Sequence, residues 1–125
     1  MHTNPLKILL VDDSSIVLQR IQQLLHEVFA VEQITIALDG EEAIITAQAH
    51  KPDIVLLDIN LPKKSGLEVL RELKLTDGNI KIIMLTSQPA DQYKDLCLQL
   101  GADAFIDKTS EFESVLDIIR QLMTQ

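Results

Sequence analysis

The feature that most constrains this chain is a short apolar run that ends on an acid, Ile54-Val55-Leu56-Leu57 followed by Asp58 and set between Pro52 and Pro62. Consecutive apolar residues bounded by turn formers are too few for a helix and lack the alternation of a half-exposed strand, so they predict a strand buried on both faces. Such strands belong to parallel sheets, which need a covering layer on each side. Asp58 then falls at the carboxyl end of its strand. In open parallel sheets ligands bind in the crevice beyond those ends, which makes Asp58 the candidate reactive centre.

The same design recurs along the chain. Ile8-Leu9-Leu10-Val11 ends on Asp12 and Asp13, Ile80 to Leu85 ends on Thr86 and Ser87, and Ala104-Phe105-Ile106 ends on Asp107 and Lys108. Ile34-Thr35-Ile36, within Val31 to Leu38, is a β-branched strand. Helical spacing fills the intervals. Ser14 to Phe29 carries Val17, Ile21, Leu24, Leu25 and Val28 on one face, with Ser14 or Asp13 as cap. Asp39 and Glu42 stand at capping-box spacing before Ala43, Ile44 and Ala47, and His50-Lys51-Pro52 stops that helix. A third helix is built on Leu67, Leu70 and Leu73 and ends in the turn Thr76 to Asn79. Pro89 fits the first turn of a fourth, which Gly101 stops after about Leu100. Ser110 and Glu113 box the last, where Phe112, Val115, Leu116, Ile119, Leu122 and Met123 recur. Five strands alternating with five helices predict an α/β fold, a doubly wound five-stranded parallel sheet with right-handed crossovers. At 125 residues, with no low-complexity linker or repeat, residues 1–125 read as one domain.

A net charge of −8 argues against direct nucleic-acid binding and against an anionic membrane surface, both of which select clustered Lys and Arg. No apolar run approaches a bilayer span, and the first residues lack a secretion signal, so a cytoplasmic protein is expected. Cys97 is the only cysteine, which excludes an internal disulfide, and its place among Tyr93, Leu96 and Leu100 reads as core. His2, His26 and His50 are dispersed and read as surface or packing residues.

Parallel strands present their carboxyl ends on one edge, so Asp12, Asp13, Asp58, Thr86 and Lys108 become neighbours. Three carboxylates so close resist ionising unless a cation joins them. An all-oxygen set suits Mg²⁺ rather than Zn²⁺, for which His or Cys is expected. Lys108 and Thr86 opposite a metal form an anion cradle suited to a phosphoryl group, toward which Asp58 can act as a carboxylate nucleophile.

With Asn60, Pro62 and Gly66 following Asp58, the ordered set resembles the receiver domain of bacterial two-component response regulators over essentially the whole chain. The resemblance implies a flavodoxin-like sheet of order 2-1-3-4-5. It implies that Asp58 accepts a phosphoryl group from a sensor histidine kinase or a histidine phosphotransfer protein. Asp13 would bind Mg²⁺ directly, Asp12 mainly through water, and Asn60 through its backbone carbonyl, while Lys108 would pair with the phosphoryl oxygens. Thr86 would move toward the phosphoryl group and Phe105 would rotate inward behind it. That would alter the face made by the fourth helix, fifth strand and fifth helix, which acts on a downstream protein target or a fused output domain. Small Ser87 would leave Asp58 accessible, and Asn60 and Gln88 would tune the phosphoryl lifetime. Self-phosphorylation and autodephosphorylation are the only activities implied, so the domain is not an enzyme in the usual sense.

Two residues depart from the family pattern. Thr109 stands where proline, with a cis bond, often follows the lysine, and a cis non-proline bond costs about 3 kcal/mol. Phe105 lacks the hydroxyl of a tyrosine. Plainer roles exist for each residue taken singly: Asp12 and Asp13 as helix caps, Lys108 as a loop lysine, Thr86 as a strand terminus, Phe105 as core, and Lys63 and Lys64 as solvated charges flanking the site. Among competing functions, an aspartyl phosphohydrolase of the haloacid dehalogenase kind requires Asp-x-Asp-x-Thr after the first strand and a cap domain. A flavin module requires a Ser/Thr-rich phosphate loop where Asp12 and Asp13 stand. A docking module that is never phosphorylated has no need of the intact acid set.

Overall fold

The computed structural model describes residues 6–28, 31–87, 93–108 and 113–123. Strands β1 (Leu6–Val11), β2 (Val31–Ala37), β3 (Ile54–Asp58), β4 (Lys81–Thr86) and β5 (Ala104–Asp107) alternate with helices α1 (Ser15–Val28), α2 (Gly40–His50), α3 (Gly66–Thr76), α4 (Lys94–Gln99) and α5 (Ser114–Met123). All the strands are parallel, in the order β2-β1-β3-β4-β5. The sheet starts at β1 near its middle, extends to β2 on one side, then returns to grow through β3 on the other. The crossovers therefore diverge between β1 and β3, the place where such sheets open a crevice.

Period-two alternation of the continuous apolar runs divides the core in two. Leu9 and Val11 of β1, Val55 and Leu57 of β3, and Ile82 and Met84 of β4 face α2, α3 and α4, where they bury Ala43, Ala47, Val69, Leu70, Leu73 and Cys97. Ile8 and Leu10, Ile54 and Leu56, and Ile83 and Leu85 face α1 and α5, against Leu18, Ile21, Leu25, Val115, Ile119 and Leu122. Each fully buried leucine or isoleucine contributes about 1.5–3 kcal/mol through removal from water. No half-exposed strand could supply both layers, which is why the central strands are continuously apolar over Ile8 to Val11, Ile54 to Leu57 and Ile82 to Leu85.

Helix starts follow local hydrogen bonding. The Glu42 N–H donates to Asp39 Oδ1 at 2.8 Å, the capping expected for α2. The Val17 N–H donates to Ser14 Oγ at 3.4 Å, so Ser14 rather than Asp13 serves α1. Ser65 accepts from the Glu68 N–H at 3.3 Å and caps α3, a Ser-x-x-Glu pattern that the apolar spacing of Leu67, Leu70 and Leu73 does not reveal. β2 ends at Ala37, one residue short of expectation, and Leu38 is exposed. Pro89, Ser110 and Phe112, expected in or beside the last two helices, lie outside the described residues. One link across the sheet's other end is purely tertiary. Lys74 Nζ donates to the Ile80 carbonyl at 2.6 Å and to Asp103 Oδ2 at 2.9 Å, and the same oxygen accepts the Ile82 N–H at 2.8 Å.

Candidate functional site

Strand parity decides which polar side chains meet. Asp58 continues the face of Ile54 and Leu56, and Asp12 and Lys108 follow strands whose Leu10 and Ile106 lie on that same face. Thr86 continues the opposite face, that of Ile82 and Met84, which Phe105 also joins. In register, Asp58 lies beside Leu85, Thr86 beside Asp107 and Met84 beside Phe105. The ladder runs on past the strands: the Ile59 N–H donates to the Leu85 carbonyl at 3.1 Å, and the Lys108 N–H to the Thr86 carbonyl at 2.8 Å. Backbone hydrogen bonds thus fix where Asp58 and Lys108 emerge.

The side chains converge. One carboxylate oxygen each of Asp12, Asp13 and Asp58 lies within 4.8 Å of the others. Asp12 and Asp58 are buried, 1% and 4% exposed, while Asp13 is open to solvent. Lys108 Nζ reaches across to Asp12 Oδ2 at 2.8 Å and to Asp58 Oδ2 at 3.5 Å. Asp12 Oδ1 accepts the Ser14 N–H at 2.8 Å, so both its oxygens are engaged. Burial, with the charge of Asp12 second, raises the Asp58 pKa from 3.8 to about 6, against the lowering pull of Lys108 and of the Asn60 backbone N–H. Burial alone lowers the lysine's pKa, but the hydrogen bond to Asp12 and the charges of Asp58 and Asp12 outweigh it and leave Lys108 raised. When all three acids are ionised, one ammonium among them leaves two negative charges without a counter-charge. That is the charge of a divalent cation, and the donors are oxygens, so the residues fit Mg²⁺.

Sequence reasoning brought Asp12, Asp13, Asp58, Thr86 and Lys108 to one place, and the structure draws the three acids and Lys108 together. Thr86 is buried at the end of β4, Phe105 is half-buried against the α2–α4 core, and Asn60 and Ser87 are exposed. Gln88 and Thr109, the latter with the Lys108-Thr109 bond, lie outside the described residues. The Asn60 backbone amide, which no side-chain pattern announces, is among the groups that pull the Asp58 pKa down. Of the two loop lysines, Lys63 is exposed as expected, while Lys64 is half-buried and paired. Lys64 Nζ binds Glu72 Oε2 at 2.7 Å, and Lys63, at φ 69, reaches Asp39 Oδ2 at 3.7 Å. Gly66 was a signal available in the sequence: a Cβ there would collide with the Asp58 carbonyl oxygen and lie 2.7 Å from Ile59 Cα, so only glycine lets α3 start against the reactive strand end.

Comparison with known proteins agrees with this geometry. The model of the response regulator receiver domain matches residues 8–120. The chemotaxis protein CheY of Halobacterium salinarum is 33% identical over 118 residues, covering 94% of this chain and 97% of that protein. The probable transcriptional regulatory protein TcrX of Mycobacterium tuberculosis is 32% identical over 119 residues, covering 95% of this chain but 50% of TcrX, so the chain spans about half the length of some relatives. Among solved structures, a chain of the CheX-CheY-BeF3-Mg+2 complex from Borrelia burgdorferi matches with a TM-score of 0.85 and 33% identity, over 97% of this chain and 91% of that one. A strand order, an acid cluster faced by a lysine, and a family match over nearly the full length agree, and the chain belongs to the response regulator receiver domains.

Proposed function

We propose that residues 1–125 act as one phosphoacceptor switch in a two-component phosphorelay, with Asp58 as the group phosphorylated. The observation that carries this is a buried carboxylate at the end of the central strand β3, in contact with one ammonium and within 4.8 Å of two further acids. The donor is a sensor histidine kinase or a histidine phosphotransfer protein. An Asp58 oxygen attacks phosphorus, a P–O bond forms, and the electron pair of the broken P–N bond returns to the donor imidazole. Asp58 is mostly ionised at neutral pH with a pKa of about 6, as the attack requires.

Asp13 and Asp58 would hold Mg²⁺ directly, with the Asn60 carbonyl, and Asp12, whose oxygens already accept from Ser14 and Lys108, would act mainly through water, as in the family this chain resembles. Bound Mg²⁺ supplies charge neutralisation of the phosphoryl oxygens. Lys108 transfers part of its hydrogen bonding from the carboxylates to the new phosphoryl oxygens. Thr86 and Phe105, on the opposite face of the sheet edge, carry the change to the surface of α4, β5 and α5, which acts on a protein target or a fused output domain. Self-phosphorylation by small acyl phosphates and autodephosphorylation complete the activity. No described helix is long and apolar enough to cross a membrane, and a cytoplasmic setting is part of the same proposal.

Incubation with Mg²⁺ and acetyl phosphate, read by intact mass, tests the reading. Wild type gains one phosphoryl group and Asp58→Asn gains none. Absence of the gain in wild type, or its persistence in the variant, sinks the proposal.

A further inference from the structure

The loop that follows Asp58 is held from outside the site. Its ends are closed by the Gly66 N–H, which donates to the Ile59 carbonyl at 2.8 Å. Its middle rests on the first residues of α2. The Gly40 N–H donates to the Pro62 carbonyl at 3.3 Å, and the same oxygen accepts the Lys64 N–H at 2.8 Å. Gly40 is buried, and a Cβ there would collide with the Lys64 carbonyl oxygen and stand 2.6 Å from Lys64 Cβ. Two of those atoms belong to or adjoin the backbone, so relief requires the loop itself to shift. Asp39 adds a second hold: its Oδ2 lies 3.7 Å from Lys63 Nζ while its Oδ1 caps α2. Lys63 sits at φ 69, a left-handed conformation that non-glycine residues adopt under constraint, which marks the loop as held in one shape.

We propose that the Asp39-Gly40 start of α2 is a positioning element for the phosphoacceptor loop, acting through Pro62 to Lys64 to keep the Asn60 carbonyl aimed at the metal. This rests on the proposed function in one respect, that Asn60 lends its carbonyl to Mg²⁺. Gly66 presses the loop from the Asp58 side and Gly40 from the α2 side, and Asn60 lies between the two clamped points. Neither glycine has a side chain that could hold the metal or the phosphoryl group. The role falls to glycine at position 40 because only a residue without a side chain brings a helix start against a backbone carbonyl.

Calorimetric titration of Mg²⁺ into wild type, Gly40→Ala and Gly78→Ala tests the inference, alongside the unfolding midpoint of each. Gly78 is the control, since a Cβ there would meet only the Lys74 carbonyl oxygen at 3.9 Å. Gly40→Ala is expected to weaken Mg²⁺ binding about tenfold or more, the usual size for a group that orients a metal ligand. Gly78→Ala leaves it unchanged. Acetyl phosphate labelling of Gly40→Ala at saturating Mg²⁺ returns toward the wild-type rate, because Asp58 and Lys108 are untouched. A merely structural glycine would lower the unfolding midpoint without changing the Mg²⁺ affinity of the folded protein, and that result overturns the inference. Where Gly40→Ala does not fold, Asp39→Ala carries the test, weakening Mg²⁺ binding if the inference holds and leaving it at the wild-type value if it does not. Failure of wild type itself to bind Mg²⁺ would fell the proposed function and this inference together, whereas wild-type affinity in a folded Gly40→Ala fells this inference alone.

Discussion

Asp58 holds its proton more tightly when folded than an ordinary aspartate does, with a pKa of about 6 against 3.8. A raised carboxylate pKa contributes stability that is fully present below the unfolded value and is lost as pH rises through the folded one. In metal-free protein that loss falls between about pH 4 and pH 6, on the order of 1–3 kcal/mol. Asp58→Asn removes the titration, so in the presence of chelator the variant should be more stable than wild type at pH 8, with the gap closing toward pH 4. Denaturant unfolding across that range checks it, and a gap independent of pH would contradict the assigned cause. At this scale the reacting residues were legible because each terminates an apolar run, where an acid or ammonium has no packing role. Asn60's N–H and Ser65's cap were not, since one is a backbone group and the other is a single hydroxyl outside the apolar spacing that marks its helix.

The elements were legible where the apolar run was continuous, as in Ile8 to Val11 and Ile54 to Leu57, and less so where it was not. α4, Lys94–Gln99, buries Cys97 as the spacing with Tyr93 and Leu100 predicts, while its expected start at Pro89 lies outside the described residues. The pairing of Lys74 with Asp103, 29 residues apart, depends on how α3 and the turn before β5 meet and has no local signature. Two substitutions separate the contributions of strand and helix start. Leu57→Ala, in a fully buried central strand, should cost about 2–5 kcal/mol through transfer and cavity terms. Ser65→Ala should cost about 0.5–2 kcal/mol, the loss of one cap. Urea unfolding measures both, and a cap variant as damaging as the core variant would mean that Ser65 holds more than its helix.

For the whole molecule, a net charge of −8 sits on a fold that gathers three of its acids at one sheet edge. A ligand that binds only the folded form stabilises it by mass action, and at ten times its dissociation constant by about 1.4 kcal/mol. Mg²⁺ should therefore raise the unfolding midpoint of wild type, chelator should reverse the rise, and Asp13→Ala should lose most of it. An equal rise in the variant would assign the effect to general screening of charge. Lys108, seated in advance on Asp12 at 2.8 Å and Asp58 at 3.5 Å, has a consequence for the direction of the signal. An ammonium that already has anionic neighbours gains on phosphorylation only the difference between one set of oxygens and another. Under the proposed phosphorylation of Asp58, the exchange of oxygens at Lys108 therefore drives neither direction of transfer by itself.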